Sequence, residues 1–241
     1  MSTTNDPFVH LPDLRQKILE PAKSSFRKLD LAVLDEQMRK VGAPADWRHS
    51  DDFREASRLE TLAGRLDRDL WVFAYASLMW DPAFHFSEVR SAIVTGFQRR
   101  FCVKSELGRG TLEKPGLMAG LDVGGTCHGL AFRVNRDRLE EETKIIWRRE
   151  MLLHAYKPVF LCLDTPQGPI EALAFIVDHS AKRYLPNITL EQTARYMATG
   201  AGVFGSSLEY LESLADHFEV LGIEDDALYV LRDCARQIAQ G

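Results

Sequence analysis

Residues Trp71–Pro82 read WVFAYASLMWDP, an apolar run that ends in small residues and an Asp-Pro turn. The apolar part has the length and composition of a buried strand. At Ala76-Ser77 little side chain covers the backbone, so N–H groups there could closely approach an anionic or polarised ligand group. The simpler alternative is a buried strand followed by an ordinary turn. The stretch by itself leaves both interpretations open.

Two apolar stripes at helical spacing precede this stretch. They are formed by Leu29, Leu31, Leu34 and Met38, and by Phe53, Ala56, Leu59 and Leu62. Such stripes predict amphipathic helices that bury one face. We therefore expect a helical N-terminal arm at residues 1–68 and the main domain at residues 69–241.

After Trp71, short apolar runs alternate with Gly, Pro and polar residues, which is the punctuation of strands. Seven runs are predicted as strands: Trp71–Tyr75, Ala92–Val94, Phe97–Val103, Leu117–Leu121, His128–Val134, Val159–Leu163 and Ile170–Val177. A central block of strands with helices at both ends predicts an α+β fold. Its mixed or antiparallel sheet is able to curl into a barrel.

Four later segments have helical spacing: Asn135–Leu153, Leu190–Thr199, Leu208–Leu221 and Asp226–Gln240. Ser206 and Glu209 form a capping-box pattern before the third of these helices, and Gly222 follows it as a stop signal.

A carboxylate interrupts the apolar stripe of the Asn135–Leu153 helix. Glu150 lies three residues after Trp147 and four after Ile146, on the face predicted to be buried. A buried Glu must be paired or have a raised pKa, and a raised pKa suits a general base. A structural ion pair with the neighbouring Arg148 or Arg149, or a helix that ends early, is the alternative.

Composition excludes several classes of protein. The 241 residues are 45% hydrophobic and 27% charged, with a net charge of −5, which argues against disordered and fibrous chains. The negative charge disfavours a general nucleic-acid or membrane-surface binder. The N-terminal residues lack a secretory pattern, so we expect a cytoplasmic protein.

Motifs for other chemistries are missing from the sequence. It contains no phosphate-binding GxxxxGK[ST] loop, no HExxH zinc pattern and no GxSxG nucleophile elbow. The four cysteines form no CxxC pair, and we expect them to be small buried hydrophobic residues. We therefore expect neither a metal nor a nucleotide.

Several separated blocks of the sequence resemble ChaC-type γ-glutamylcyclotransferases. The stretch Trp71–Pro82 is similar to the family signature W-[IV]-F-G-Y-G-S-L-x-W-x-P. Further blocks follow in the family's order: Arg99-x-Phe101-Cys102, Gly108–Met118, Trp147–Met151, Tyr156-x-Pro158, Tyr184, Gly202–Leu211 and Leu221–Asp226. The resemblance covers the chain from Trp71 to the C-terminus.

The resemblance implies a small mixed β-barrel flanked by helices. Glu150 matches the catalytic glutamate of the family's Arg-Glu-Met motif. The resemblance also implies that one loop binds the substrate, mostly through its backbone, and that a later tyrosine lines the substrate pocket. These residues are Ala74, Tyr75, Ala76, Ser77, Leu78, Met79 and Tyr184.

The sequence departs from the family pattern in the substrate loop. Ala74 and Ala76 stand where the family usually has glycine, and they add two methyl groups and disfavour positive φ. Ser207 replaces a common Asn before the segment containing Tyr210. These departures bear on substrate affinity and activity, and they leave the expected fold unchanged.

The activity that the resemblance implies is that of a lyase, which cleaves glutathione to 5-oxoproline and cysteinylglycine. Glu150 would be the general base, and no cofactor would be needed because ring closure is already unimolecular. The expected partner is a small molecule, with no nucleic acid and no membrane; Arg109 is a candidate for helping to attract the anionic substrate. Two alternatives stay open: a non-catalytic sensor of γ-glutamyl metabolites, and a cyclotransferase for other γ-glutamyl amines or peptides. The oligomeric state is not determined by the sequence.

Overall fold

A computed structural model describes residues 6–241. The chain divides into two compact units. Unit 1 comprises the residues up to Gln98 together with Leu121–Ile176, and unit 2 comprises Arg99–Gly120 together with Val177–Gly241. The boundary that the sequence predicts between residues 68 and 69 stays a prediction.

A group of strands with helices before and after it confirms the α+β prediction. The helices are α1 Leu31–Lys40, α2 Asp51–Thr61, α3 Leu139–Glu150, α4 Leu190–Thr199, α5 Ser207–Leu221 and α6 Asp226–Gln240. The strands are β1 Leu70–Ala74, β2 Glu88–Ser105, β3 Gly116–Val134, β4 Tyr156–Leu163, β5 Ile170–Val177, β6 Ala201–Gly202 and β7 Gly205–Ser206. No helix within residues 6–241 is long and apolar enough to cross a membrane.

Five strands form one mixed sheet in the order β2-β3-β1-β5-β4. β1 is antiparallel to β3 and parallel to β5, so it has a hydrogen-bonded neighbour on each side. β3 also pairs with β5, at Leu121 and Ile176, which curls the sheet toward closure. Val72, Phe73 and Ala74 are fully buried, as a central strand requires.

Two pairs of predicted strands are single long strands in the structure. Ala92–Val94 and Phe97–Val103 both lie in β2, and Leu117–Leu121 and His128–Val134 both lie in β3. The glycines between them have positive φ, as in Gly96 at 87° and Gly124 at 108°. Such glycines bend a strand without ending it, so the prediction of breaks was wrong.

The expectation that all four cysteines are buried was wrong for the one on the edge strand β4. Pro158 lies within β4, where an edge position tolerates the missing N–H donor. Cys162, on the same strand, is exposed and Cys234 is half-buried, whereas Cys102 and Cys127 are buried as expected. Successive side chains of a strand point to opposite faces, so Cys162 lies on the face opposite the fully buried Leu163.

The arm contains the two expected helices, but α2 presents the opposite face to the core. Leu34 and Met38 of α1 are buried as expected. In α2, however, Phe53 is 48% exposed and Arg58 is only 1% exposed. Arg58 donates hydrogen bonds to Thr143 Oγ1, at 3.0 Å, and to Glu140. Acceptors on α3 therefore satisfy the buried guanidinium, which a pattern of apolar residues cannot reveal.

In unit 2 the glycine motifs of the sequence meet in close packing. A Cβ on Gly116 would lie 2.0 Å from Ser207 Oγ, and one on Gly202 would lie 2.5 Å from the Gly108 carbonyl oxygen. Ser207 Oγ accepts a hydrogen bond from Leu117 N and donates one to Arg109 O. The glycines thus permit close backbone approach, and Ser207 joins the two segments.

Candidate active site

The buried strand β1 leads directly into the predicted substrate loop. After Ala74 the chain runs through Ala76 into a single 3-10 turn, Ser77–Met79. Met79 N donates to Ala76 O at 2.8 Å, and Asp81 N donates to Ser77 O at 3.0 Å. The first N–H groups of such a turn, those of Ser77 and Leu78, have no acceptor within it.

Most side chains of this loop are directed into the protein. The Tyr75 hydroxyl donates to the Phe175 carbonyl oxygen at 2.8 Å inside unit 1. Leu78 is 5% exposed and Met79 is fully buried. Because these side chains pack inside the protein, the groups of the loop that are left to contact a ligand are mainly its backbone and the Ser77 hydroxyl.

The two alanines of the loop do not have positive φ. Ala76 has φ −149° and ψ −130°, which is neither a helical nor an extended-strand conformation. Among residues 6–241 the only non-glycine with positive φ is Ala83, at 65°. Ala74 and Ala76 therefore do not adopt the positive φ for which glycine is favoured.

Glu150 is the last residue of α3, at the end of the helix's buried face. Ile146 is fully buried and Trp147 is 1% exposed, and the Glu150 side chain is 15% exposed. The helix ends at Glu150 and not at Leu153, because Met151, Leu152 and Leu153 are all buried. Three consecutive apolar residues cannot share one helical face, so the chain turns and leaves the carboxylate at the end of the helix.

Arg149 joins Glu150 to the loop. Its Nε lies 3.1 Å from Glu150 Oε1, and its Nη2 donates to Ser77 Oγ at 2.9 Å. Its Nη1 donates to the Asp81 carbonyl oxygen. The sequence proposed this arginine only as a structural partner of Glu150. The structure does contain that ion pair and the early helix end, and it adds a connection to the substrate loop.

Opposing influences act on the Glu150 carboxyl. Burial raises its pKa, and the neighbouring Arg149 charge and hydrogen bond partly offset that effect. The carboxyl also lies at the C-terminal end of α3, where the helix dipole disfavours negative charge. The balance is a carboxyl that binds a proton more readily than an exposed glutamate does.

Asp81 is a site residue that sequence reasoning missed. Its Oδ1 is buried and has no hydrogen-bond partner within residues 6–241, and it lies 3.7 Å from Arg149 Nη1. In the sequence, Asp81-Pro82 matched an ordinary turn. The only available signal was its proximity to the loop.

Tyr184 lies in unit 2, apart in the chain from the residues above. Its ring stacks on His179 with centroids 4.5 Å apart, and its backbone forms an isolated bridge with Val103. Its proposed role in a substrate pocket stays a prediction. Arg109 is in unit 2 as well, with its guanidinium 5.0 Å from the centre of the Tyr210 ring.

The described part of the chain contains no group of three or more His, Cys, Asp and Glu residues placed to hold a metal ion. The candidate site in unit 1 brings together the Glu150 carboxyl, the Arg149 guanidinium, the Ser77 hydroxyl and backbone N–H groups of the loop. Such a set can exchange protons and bind anionic or polarised groups.

A family model described as ChaC-like protein matches residues 70–238. The chain belongs to this family, which confirms the resemblance found in the sequence.

The curated relatives include enzymes from bacteria and vertebrates. The chain is 37% identical over 181 residues to the glutathione-specific γ-glutamylcyclotransferase of Escherichia coli, covering 74% of this chain and 78% of the relative. It is 32% identical over 171 residues to glutathione-specific γ-glutamylcyclotransferase 1 of Homo sapiens, covering 68% and 77%.

A solved structure supports the fold independently. The crystal structure of a yeast γ-glutamylcyclotransferase specific to glutathione matches with a TM-score of 0.61 at 19% identity. The match covers 71% of this chain and 99% of the yeast chain. At this identity the similarity shows the shared fold.

Proposed function

We propose that this protein is a lyase that cleaves glutathione by intramolecular acyl transfer. The α-amine of the γ-glutamyl unit attacks its own γ-carbonyl carbon, and a new C–N bond closes a five-membered ring. The original amide C–N bond breaks. The products are 5-oxoproline and cysteinylglycine, and no water is consumed.

One observation carries this proposal: the largely buried carboxyl of Glu150, whose pKa burial raises, is joined by the Arg149 guanidinium to Ser77 of the substrate loop. Glu150 is proposed to take a proton from the α-ammonium and later give one to the leaving nitrogen. Its raised pKa suits both steps, since the group must accept and then release the same proton. The names of the curated relatives support glutathione as the substrate.

The loop is proposed to hold the substrate by its backbone. The N–H groups of Ser77 and Leu78 are candidates for the α-carboxylate or for the oxyanion that develops during ring closure. Tyr184 is proposed as a pocket residue by family resemblance alone. Neither a metal nor a cofactor enters the proposal, because positioning the folded-back conformer replaces a bimolecular encounter.

The experiment is to incubate the purified protein with glutathione and measure 5-oxoproline and cysteinylglycine by mass spectrometry. We expect equal amounts of the two products, and no ¹⁸O in 5-oxoproline when the reaction runs in H₂¹⁸O. Glutamate in place of 5-oxoproline would indicate hydrolysis and overturn the proposal. N-acetylglutathione, which lacks the free α-amine, is the matched control and should yield no product.

The same assay distinguishes the alternatives. Turnover of other γ-glutamyl amines with none of glutathione would change the substrate and keep the chemistry. Binding of glutathione by calorimetry with no product at all would indicate a sensor. A cytoplasmic location stays a prediction, which cell fractionation tests.

A further inference from the structure

Phe26 belongs to the N-terminal arm and lies outside residues 70–238, which the family model matches. Nevertheless, its ring contacts the candidate site. The guanidinium carbon of Arg149 is 4.3 Å from the centre of the Phe26 ring, well within the range of a cation–π contact. The Arg149 side chain is only 5% exposed, so the ring takes the place of water on one side of the guanidinium.

The other contacts of this guanidinium are made by its N–H groups. Nε is used toward Glu150, Nη2 toward Ser77 and Nη1 toward Asp81. A guanidinium is planar, and its donors form a rigid fork. The Phe26 ring against one side of the guanidinium therefore restricts its tilting. If the guanidinium tilted, its contacts with the Glu150 carboxyl and with Ser77 of the loop would both change.

The position of Phe26 is itself fixed by its neighbours. Arg148 Nη2 donates to the Arg27 carbonyl oxygen at 2.5 Å, and Arg27 Nη1 donates to the fully buried Glu142 at 2.6 Å. Nearby in the arm, Leu19 N donates to Trp80 O at 2.7 Å. These bonds attach the arm both to α3 and to the segment that follows the substrate loop.

We infer that Phe26 is a positioning residue for the candidate active site, acting by holding the Arg149 guanidinium between Glu150 and the Ser77 loop. The arm is then a part of the active-site structure and not a separate appendage. The kinetic part of this inference rests on the proposed function, whereas its structural part does not.

The test compares Phe26→Leu, which keeps apolar volume and removes the π face, with Phe26→Tyr, which keeps the ring. For Phe26→Leu we expect kcat to fall by roughly three- to thirtyfold, the range from an exposed to a desolvated cation–π contact. The acid limb of the pH profile should move to higher pH, because a looser Arg149 lowers the pKa of Glu150 less. Phe26→Tyr should leave both kcat and the pH of the acid limb unchanged.

Phe8→Ala is the matched control. Phe8 is another half-buried ring of the arm, with the Arg15 guanidinium 5.2 Å from its centre. Loss of this contact should lower the melting temperature without moving the acid limb. If Phe26→Leu behaves like Phe8→Ala, with lower stability and unchanged kcat and limb, the inference is wrong.

A measurement without turnover separates this inference from the proposed function. Carbon-13 NMR of protein labelled at the Glu side-chain carboxyl carbon follows the titration of Glu150, assigned by its absence in Glu150→Gln. We expect a higher midpoint in Phe26→Leu than in wild type, and an equal midpoint would overturn the inference. If wild type makes no 5-oxoproline, the proposed function fails, and this titration still decides the role of Phe26.

Discussion

The Glu150 carboxyl is largely buried at the end of α3, beside Arg149. Burial raises its pKa and Arg149 opposes the increase. A structural ion pair and a general base would both show this arrangement, so the chemistry of a single variant must separate them. Glu150→Gln keeps the volume and removes the basic oxygen.

For Glu150→Gln we expect turnover to fall by about 10²–10⁴-fold, the usual contribution of a positioned general base. Glutathione should still bind, because the loop backbone is unchanged. Product formation and thermal unfolding are measured on the same preparation. A well-folded variant with near-normal turnover would remove Glu150 from the mechanism.

The same carboxyl makes stability depend on pH. Its folded-state pKa is raised, so between the ordinary Glu value and the raised value the folded state binds more protons than the unfolded state. The stabilising effect is therefore present below the ordinary Glu pKa and is lost as pH rises through the raised value. We expect the unfolding free energy of wild type, relative to Glu150→Gln, to fall as pH increases over this window. Urea unfolding at several pH values measures it, and a rise would contradict the assignment of a raised pKa.

Ala76 tests the contact between loop and substrate. In Ala76→Gly the backbone entropy cost is at most about 1 kcal/mol, so the melting temperature should change little. If the substrate lies against this loop, the Michaelis constant for glutathione should change by more than that of the control Ala92→Gly. Ala92 is 2% exposed in β2 and has no proposed role in the site. Equal Michaelis constants in the two variants would show that the loop does not contact the substrate.

At the scale of elements, α2 shows how charge can override an apolar stripe. Phe53 and Leu59 are about half exposed, at 48% and 50%, while Arg58 is 1% exposed. Arg58 lies where α2 packs on α3 and donates to Glu55, Glu140 and Thr143. Charge-assisted hydrogen bonds of this kind offset the cost of burying a guanidinium.

Replacing Arg58 by Ala removes both these bonds and the buried aliphatic stem. We expect the unfolding free energy to fall by about 2–3 kcal/mol. Chemical denaturation measures the change. Arg39→Ala is the control, since Arg39 is exposed on α1 and pairs along its own helix with Glu36; its effect should be undetectable. Similar effects for the two variants would show that the α2–α3 contact contributes little.

The remaining elements follow local signals more closely. The Ser206 and Glu209 capping box is present at the start of α5, and Gly222 ends that helix with φ +64°. These interactions involve residues three or four positions apart, so the sequence pattern contains them. The glycines within β2 and β3 were wrongly predicted to end strands, because glycine occurs both where a strand bends and where it ends.

At the scale of the molecule, charged side chains join the arm to α3 within unit 1. Glu142 is fully buried and accepts hydrogen bonds from Arg27 and from His85 N. Glu141, next to it, is 63% exposed and pairs with the same arginine. The two carboxylates thus share one arginine partner and differ in burial, so they can be compared by mutation.

We expect Glu142→Gln to lower the unfolding free energy by about 2–4 kcal/mol, because it leaves the partly buried Arg27 with one fewer charged partner. Cleavage within residues 6–68 by limited proteolysis should become faster. Glu141→Gln should change both measurements little, since exposed ion pairs contribute little. Equal rates of cleavage in the two variants would show that Glu142 does not hold the arm against α3.

The sequence by itself determined the α+β class, the family, the ends of the C-terminal helices and the placement of Glu150 on a buried helical face. Each of these depends on hydrophobic periodicity, on capping over three or four residues, or on the order of motifs. Only the tertiary structure revealed the inward face of α2, the connection of Arg149 to Ser77 and Asp81, and the position of Phe26 on Arg149. Those contacts join residues far apart in the chain. Hydrogen bonding and cation–π geometry depend on distance in space, which residue spacing does not encode.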